Sequence, residues 1–272
     1  MTRADSGADT GPHAAALDEA ATTASPVDQI TATRALTLDE AYRVQAELLA
    51  CRHARGEREV GLKLGFTSEA KMAQMGISEV IAGRLTDAMR VADGGTTDRR
   101  RFIHPRVEPE IAFRLSGRVE QAGPNADPAE VIDAVAPALE IIDSRYRDFR
   151  FTLEDVVADN TSAAGYVTGP WTAFDRAHDI TNLGVMLETD GQLADTGSTA
   201  AILGDPLRAV AAAVRLATRY GMPLHAGSVV LAGAATAAHW LSAATHVEVT
   251  VAELGRATLR THGGEHDDIA RR

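Results

Sequence analysis

Glu108 and Glu110 stand one residue apart in the stretch His104-Pro105-Arg106-Val107-Glu108-Pro109-Glu110-Ile111-Ala112-Phe113. The stretch alternates with period two. Val107, Pro109, Ile111, Phe113 and Leu115 fall on one face of an extended strand, and Glu108, Glu110, Ala112 and Arg114 on the other. The first face is apolar and suits a core. The second carries two carboxylates one pleat apart, close enough to share a cation. A third carboxylate, Glu140, interrupts a second apolar run, Val135 to Ile142. Buried acids are costly unless something compensates them. Three acids in two core-forming strands therefore point to one hard divalent cation held by oxygen ligands, Mg²⁺ or Mn²⁺. The competing reading is a solvated sheet face whose acids are unrelated.

A cation of a different kind stands earlier. Val60-Gly61-Leu62-Lys63-Leu64-Gly65 reads as a strand bracketed by glycines, with Lys63 breaking the apolar run. A strand lysine is usually solvated. The flanking glycines favour instead a backbone packed close to a ligand. Cys51 ends a helical run with no base nearby in sequence and reads as an inert thiol.

Around these residues the spacing predicts the elements that would hold them. Residues 1–28 are rich in Ala, Asp, Thr and Gly without periodicity and read as a disordered tail. A helix is expected from Leu38 to about Arg55, with Ala41, Val44, Leu48 and Leu49 as its apolar stripe and Gly56 as its stop. Thr67-Ser68 caps a short helix from Glu69 to Met75. Gly83 to Met89 is a loop or short strand carrying Asp87. A second short helix, Pro128 to Ala134, leads into the Glu140 strand. Asp155 to Ser162 is dense in small polar groups and reads as a turn or a substrate loop. Two strands around Asp190-Gly191 make a β-hairpin. Asp205-Pro206 starts a helix with Leu207, Val210, Val214 and Ala217 inside and Gly221 at its end. Ser228 to Leu231 and Val247 to Val251 are further strands. No repeat or linker divides the chain, so residues 29–265 are read as a single α+β domain with a mostly antiparallel, curled sheet.

Composition excludes several classes of function. The 272 residues carry a net charge of -11, and no basic cluster offsets the acidic excess, which argues against nucleic-acid binding. A single cysteine suits a reducing cytoplasm. No apolar run approaches the roughly 18 residues of a membrane span.

At this point the residues resemble a known family, the hydratase/decarboxylase branch of the fumarylacetoacetase-like superfamily. The likeness runs from about residue 34 to residue 261. It is carried by Gly61 to Ser68 with Ala70 to Gly76, Leu85-Thr86-Asp87, the Glu108/Glu110 pair, Ala138 to Tyr146, and Val157 to Ser162. The resemblance implies a rolled β-sheet core flanked by helices, a divalent metal on Glu108, Glu110 and Glu140, and an active-site lysine at Lys63. It implies polar contributions from Ser162 and Asp87. Lys71 to Gly76 and Asp143-Ser144-Arg145-Tyr146 are similar to the decarboxylases of the branch. The implied reaction is metal-dependent loss of CO₂ from 2-oxohex-3-enedioate, a 2-oxo dicarboxylic acid, giving 2-hydroxypenta-2,4-dienoate in meta-cleavage degradation of aromatic compounds. Hydration of that dienoate on the same scaffold is the alternative. A C–C hydrolase and a non-catalytic partner subunit are more distant ones. The family also implies a homo-oligomer and an association with the pathway hydratase. Arg145 and Tyr146 are candidates for holding a substrate carboxylate, an ordinary ion pair being the other reading of Arg145. One departure is Ala243-Ala244-Thr245-His246, where the family often has a Gly-Asp turn.

Overall fold

The computed structural model describes residues 10–68, 72, 79–241 and 244–263. Two sheets form the fold. The larger runs β2 (Ile81–Thr86), β1 (Glu59–Gly65), β10 (Val229–Ala234), β4 (Arg106–Leu115), β5 (Ile132–Ile142) and β6 (Ala163–Thr168), with β7 (Thr172–Ala173) on β5 and β11 (His239–Trp240) on β4. The smaller runs β3 (Thr96–Asp98), β13 (Gly255–His262), β12 (His246–Val251), β8 (Gly184–Thr189) and β9 (Gln192–Ser198). Pairing is antiparallel except for β1 with β10 and β3 with β13. The expected α+β class and the alternation of β4 hold. Val107, Ile111 and Phe113 of β4 join Leu139 and Ile141 of β5 and Val247, Val249 and Val251 of β12 in one buried core between the sheets. The even-numbered face of β4 is thereby turned away from that core.

Helix α2 (Leu38–Ala54) begins at a capping box in which Glu40 N–H donates to Thr37 Oγ1 at 3.2 Å and Thr37 N–H donates to Glu40 Oε2 at 2.8 Å. Its buried Gln45 donates to the carbonyls of Ala82 and Val157 at 2.9 and 3.0 Å. One side chain thus ties β2 to α3 (Leu153–Ala158). Helix α4 (Leu207–Tyr220) ends at Gly221, whose φ of 63° is the left-handed cap that glycine adopts without a Cβ penalty. The hairpin turn is as expected, with Asp190 and Gly191 both left-handed. The Asp190 carboxylate also accepts from Thr245 N–H, Thr245 Oγ1 and His246 N–H at 3.0, 2.6 and 2.9 Å, which secures the segment that lacks the family's Gly-Asp turn.

Four expectations are corrected or left outside. Residues 11–23 are not tail but helix α1 (Gly11–Thr23), which buries Ala14, Leu17 and Ala20 and packs on α2. Its buried stripe is two-thirds alanine, too weakly apolar to show as periodicity. Pro128–Glu130 is only a 3₁₀ turn, because Ile132 is already paired with Leu115 in the ladder. The polar Asp155–Ser162 stretch opens inside α3, where Asp155 is the third residue of a second capping box with Thr152. The helix expected over Glu69–Met75 lies, apart from Met72, outside the described residues.

Candidate metal centre and active site

Register brings the three glutamates together. Glu108 of β4 faces Glu140 of β5 directly across the ladder, and Glu110 lies one pleat further on the same face. Ligand oxygens of all three fall within 4.8 Å of one another, and all three residues are buried. A bulge in β10 shifts its register between Leu231 and Ala234, and there Gly233 N–H donates to Glu110 Oε2 at 2.8 Å. Gly233 has φ +114°, and a Cβ there would sit 1.9 Å from Thr67 Oγ1, so only glycine fits this approach.

Lys63 completes the group from three strands away. In a flat sheet β1 and β5 would be about 14 Å apart, three spacings of about 4.8 Å. Yet Lys63 Nζ lies 3.1 Å from Glu140 Oε1. The two long side chains lean toward each other across the intervening strands β10 and β4, on the face that carries the acids, and the roll of the sheet shortens the span. The ammonium is fixed on its other side by the Thr161 carbonyl, which accepts from Nζ at 3.0 Å. That carbonyl belongs to a run of three left-handed non-glycine residues, Asn160, Thr161 and Ser162, with φ of 49°, 53° and 57°. Such backbone is unfavourable and needs its surroundings to hold it. Asn160 does so by pairing with a strand residue: Arg84 N–H donates to Asn160 Oδ1 at 2.7 Å, and Asn160 Nδ2 donates to the Arg84 carbonyl at 2.9 Å. Arg145 does so from below. Its guanidinium donates to both the carboxylate and the carbonyl of Asp159, and to the carbonyls of Asp143 and Ala163 at 2.6 and 3.1 Å. Arg145 is thus a buried brace rather than a substrate ligand.

Electrostatics follow from burial. Burial, followed by the Glu140 and Glu108 charges, pushes the Glu110 carboxyl well above the usual carboxylate range. Burial likewise pushes Glu140 up to about 7, outweighing the Lys63 ammonium beside it. Burial pulls the Lys63 ammonium down, but the charges of Glu140, Glu108 and Glu110 together hold its pKa above its ordinary value. Among the described residues Glu110 Oε1 and Glu140 Oε2 are buried without a hydrogen-bond donor, and Glu140 Oε1 has the Lys63 ammonium beside it. Buried lone pairs without donors on clustered carboxylates are what a hard cation satisfies. Three carboxylates and one ammonium leave about -2, which a divalent ion neutralises. The residues fit Mg²⁺ or Mn²⁺.

The remaining sequence candidates divide. Ser162 continues the left-handed run beyond Thr161, and its hydroxyl, like that of Thr161, is buried without a hydrogen-bond partner among the described residues. Asp87 is not brought to the cluster. The register pairs Glu59 with Thr86, so Asp87 lies past the far end of β1, four residues beyond the partner of Lys63. There its partly exposed carboxylate accepts from Arg58 N–H and Nε at 3.0 and 3.1 Å. Asn160, the Thr161 carbonyl and Gly233 N–H were not anticipated. Only the density of small polar residues at 159–162 hinted at them.

Comparison with known proteins agrees with this geometry. The model of the fumarylacetoacetate (FAA) hydrolase C-terminal family matches residues 62–261. A 4-oxalocrotonate decarboxylase from a Pseudomonas species is 49% identical over 247 residues, covering 91% of this chain and 96% of that one. A 2-keto-4-pentenoate hydratase from Paraburkholderia xenovorans (strain LB400) is 37% identical over 200 residues, covering 73% of this chain and 74% of that one. Among solved structures, the 4-oxalocrotonate decarboxylase from Pseudomonas putida G7, complexed with magnesium and adipate, superposes with a TM-score of 0.86 at 33% identity, covering 96% of this chain and 100% of that one. The rolled sheet, the buried acids and these matches lead to one conclusion: the chain belongs to the fumarylacetoacetate hydrolase C-terminal family.

Proposed function

We propose that this chain is a carboxy-lyase that converts 4-oxalocrotonate (2-oxohex-3-enedioate) to 2-hydroxypenta-2,4-dienoate and CO₂, a step of meta-cleavage degradation of aromatic compounds. The observation that carries the reading is the buried trio Glu108, Glu110 and Glu140 with Lys63 closing on it. The 49% identity to a 4-oxalocrotonate decarboxylase, against 37% to a hydratase, favours decarboxylation over hydration. The neighbouring decarboxylase structure with magnesium and adipate, a six-carbon diacid, supports both the metal and the substrate length.

When bound by the three glutamates, Mg²⁺ or Mn²⁺ supplies a Lewis acid for a substrate's 2-oxo oxygen and adjacent carboxylate. The chain's own residues do the rest. Departure of the distal carboxylate as CO₂ sends its bonding electrons through the C=C bond to the 2-oxo oxygen, which takes a proton from solvent to give the 2-hydroxy group of the product. In this reading Lys63 faces the negative charge as it develops. Its ammonium brings the charge of the loaded site to neutrality, and it is held there in advance by Glu140 and the Thr161 carbonyl. The Ser162 hydroxyl is free to donate to a substrate oxygen. Burial of the acids keeps water from the carbanion-like charge.

The expected domain of residues 29–265, together with helix α1 packed on it, acts in this reading as one catalytic domain in the cytoplasm, assembled as a homo-oligomer and associating with the pathway hydratase. Among the described residues no helix is long and apolar enough to cross a membrane. The test is product identification by NMR and mass spectrometry. Metal-dependent CO₂ loss from 2-oxohex-3-enedioate, abolished by chelator, is the expected result. Hydration of 2-hydroxypenta-2,4-dienoate without decarboxylation would replace the proposed reaction by its alternative.

A further inference from the structure

Arg106 stands two residues before Glu108 on β4, with no register shift between them, so its side chain shares the face of the metal ligands. Its cross-strand neighbour on β11 is Trp240. The guanidinium carbon lies 4.2 Å from the centre of the Trp240 ring and 4.3 Å from that of Phe149. Two aromatic faces thus clasp one planar cation. Stacking of this kind leaves the in-plane N–H edge as the part able to bind something. Arg106 Nε is buried with no acceptor among the described residues, and the Glu108 charge acts on the guanidinium without a hydrogen bond to Nε. The other buried cations of this region are occupied. Lys63 is held by Glu140 and Thr161, Arg145 by Asp159, and Arg84 by Glu59.

The clasp is also constructed at a cost. Phe149 and the preceding Asp148 are both left-handed, with φ of 57° and 59°. Consecutive non-glycine residues in that region are maintained only where the surroundings require it. Here the turn lays the Phe149 ring over Arg106. Trp240 is 44% exposed, so the clasp stands at the open edge of the site.

We infer that Arg106 receives the distal carboxylate of the substrate and makes the site selective for dicarboxylic over monocarboxylic 2-oxo acids. The inference rests on the metal-chelate reading proposed above. Arg106 and Glu108 are one pleat repeat apart, about 6.7 Å along the strand. That is the scale of the carbon chain separating the two ends of a six-carbon diacid. A guanidinium fork offers such a carboxylate two parallel hydrogen bonds, while a lysine would offer a point charge.

The test is calorimetric binding to the Mg²⁺-loaded protein of two unreactive probes, 2-oxoadipate and 2-oxohexanoate, which share the chelating end and differ in the far carboxylate. Wild-type protein is expected to bind 2-oxoadipate about 10- to 100-fold more tightly, the range for hydrogen bonds to a charged group. In Arg106→Met the two affinities should come within about threefold of each other by loss at 2-oxoadipate alone. Arg106→Lys should fall between, and it decides the matter if the methionine variant does not fold. An unchanged preference in either folded variant, or equal weakening of both probes, overturns the assignment. Wild-type protein that binds both probes with metal but without preference overturns the Arg106 role and leaves the chelate reading standing. Wild-type protein that binds neither overturns both.

Discussion

Glu140 and Lys63 show what burial does to two opposite charges 3.1 Å apart. The acid is pushed up to about 7 even beside the ammonium, because burial is the larger effect. An ion entering the trio must therefore displace protons as pH falls below neutrality. Mg²⁺ affinity should rise as pH increases through about 7, with proton release detectable by calorimetry in buffers of different ionisation enthalpy. Glu110→Gln removes a ligand oxygen whose carboxyl is itself raised. It should weaken Mg²⁺ by ~100-fold or more and reduce the proton release. Lys63 acts in the opposite sense. Lys63→Met should retain Mg²⁺ binding, since a repelling positive charge is lost, while kcat falls ~100-fold or more as the preorganised charge disappears. Loss of metal binding in that variant, measured by the same titration, would show that Lys63 supports the trio rather than the reaction.

At the scale of elements, the loop after α3 is what aims Lys63. Asn160 replaces a missing strand partner for Arg84 with two hydrogen bonds, of 2.7 and 2.9 Å, and favours the left-handed backbone more than most residues do. Asn160→Ala should cost about 2–3 kcal/mol of stability, read from denaturant unfolding, and lower kcat by releasing the Thr161 carbonyl from Lys63. Full stability in this variant would mean that the left-handed run needs no such support. None of this was legible in the sequence, where 155–162 reads as a polar turn. The elements that were legible are those with strong local signals. The alternation of β4, the stripe of α2, the Asp-Gly hairpin and the Asp-Pro start of α4 each depend on residues a few positions apart. α1 was missed because alanine dominates its buried face. The Glu108/Glu110 pair was legible for the same local reason, and Glu140 as an acid inside an apolar run. The contact of Lys63 with Glu140 was not, since it depends on how far the sheet rolls. Asp87 was misplaced because the β1–β2 register carries it past the strand end to Arg58. Arg106 drew no attention, because its partners Phe149 and Trp240 come from distant parts of the chain.

At the scale of the molecule, the net charge of -11 attracts a divalent cation and opposes a dianionic substrate. The fold thus has reason to depend on its metal. With metal chelated, Glu140 in the folded protein keeps a proton up to a pKa of about 7, whereas the unfolded chain gives that proton up near 4.5, the ordinary value of a glutamate. Over that window the folded state binds more protons, so stability falls as pH rises and levels off above about 7. Glu110 contributes in the same direction, its carboxyl also being raised. Bound metal takes the place of these protons and removes the slope. Between pH ~5.5 and ~7.5 the Tm of chelated protein should drop by several degrees, while Mg²⁺-saturated protein stays nearly level. His104 opposes this trend, because burial lowers its pKa and a histidine held neutral gains stability as pH rises. Chelated Glu140→Gln isolates the acid's share: it keeps the histidine and loses the titrating carboxyl, so its Tm should fall less than wild type over the same window. An equal fall in both proteins would mean that the Glu140 carboxyl does not couple to folding and would leave the slope to Glu110.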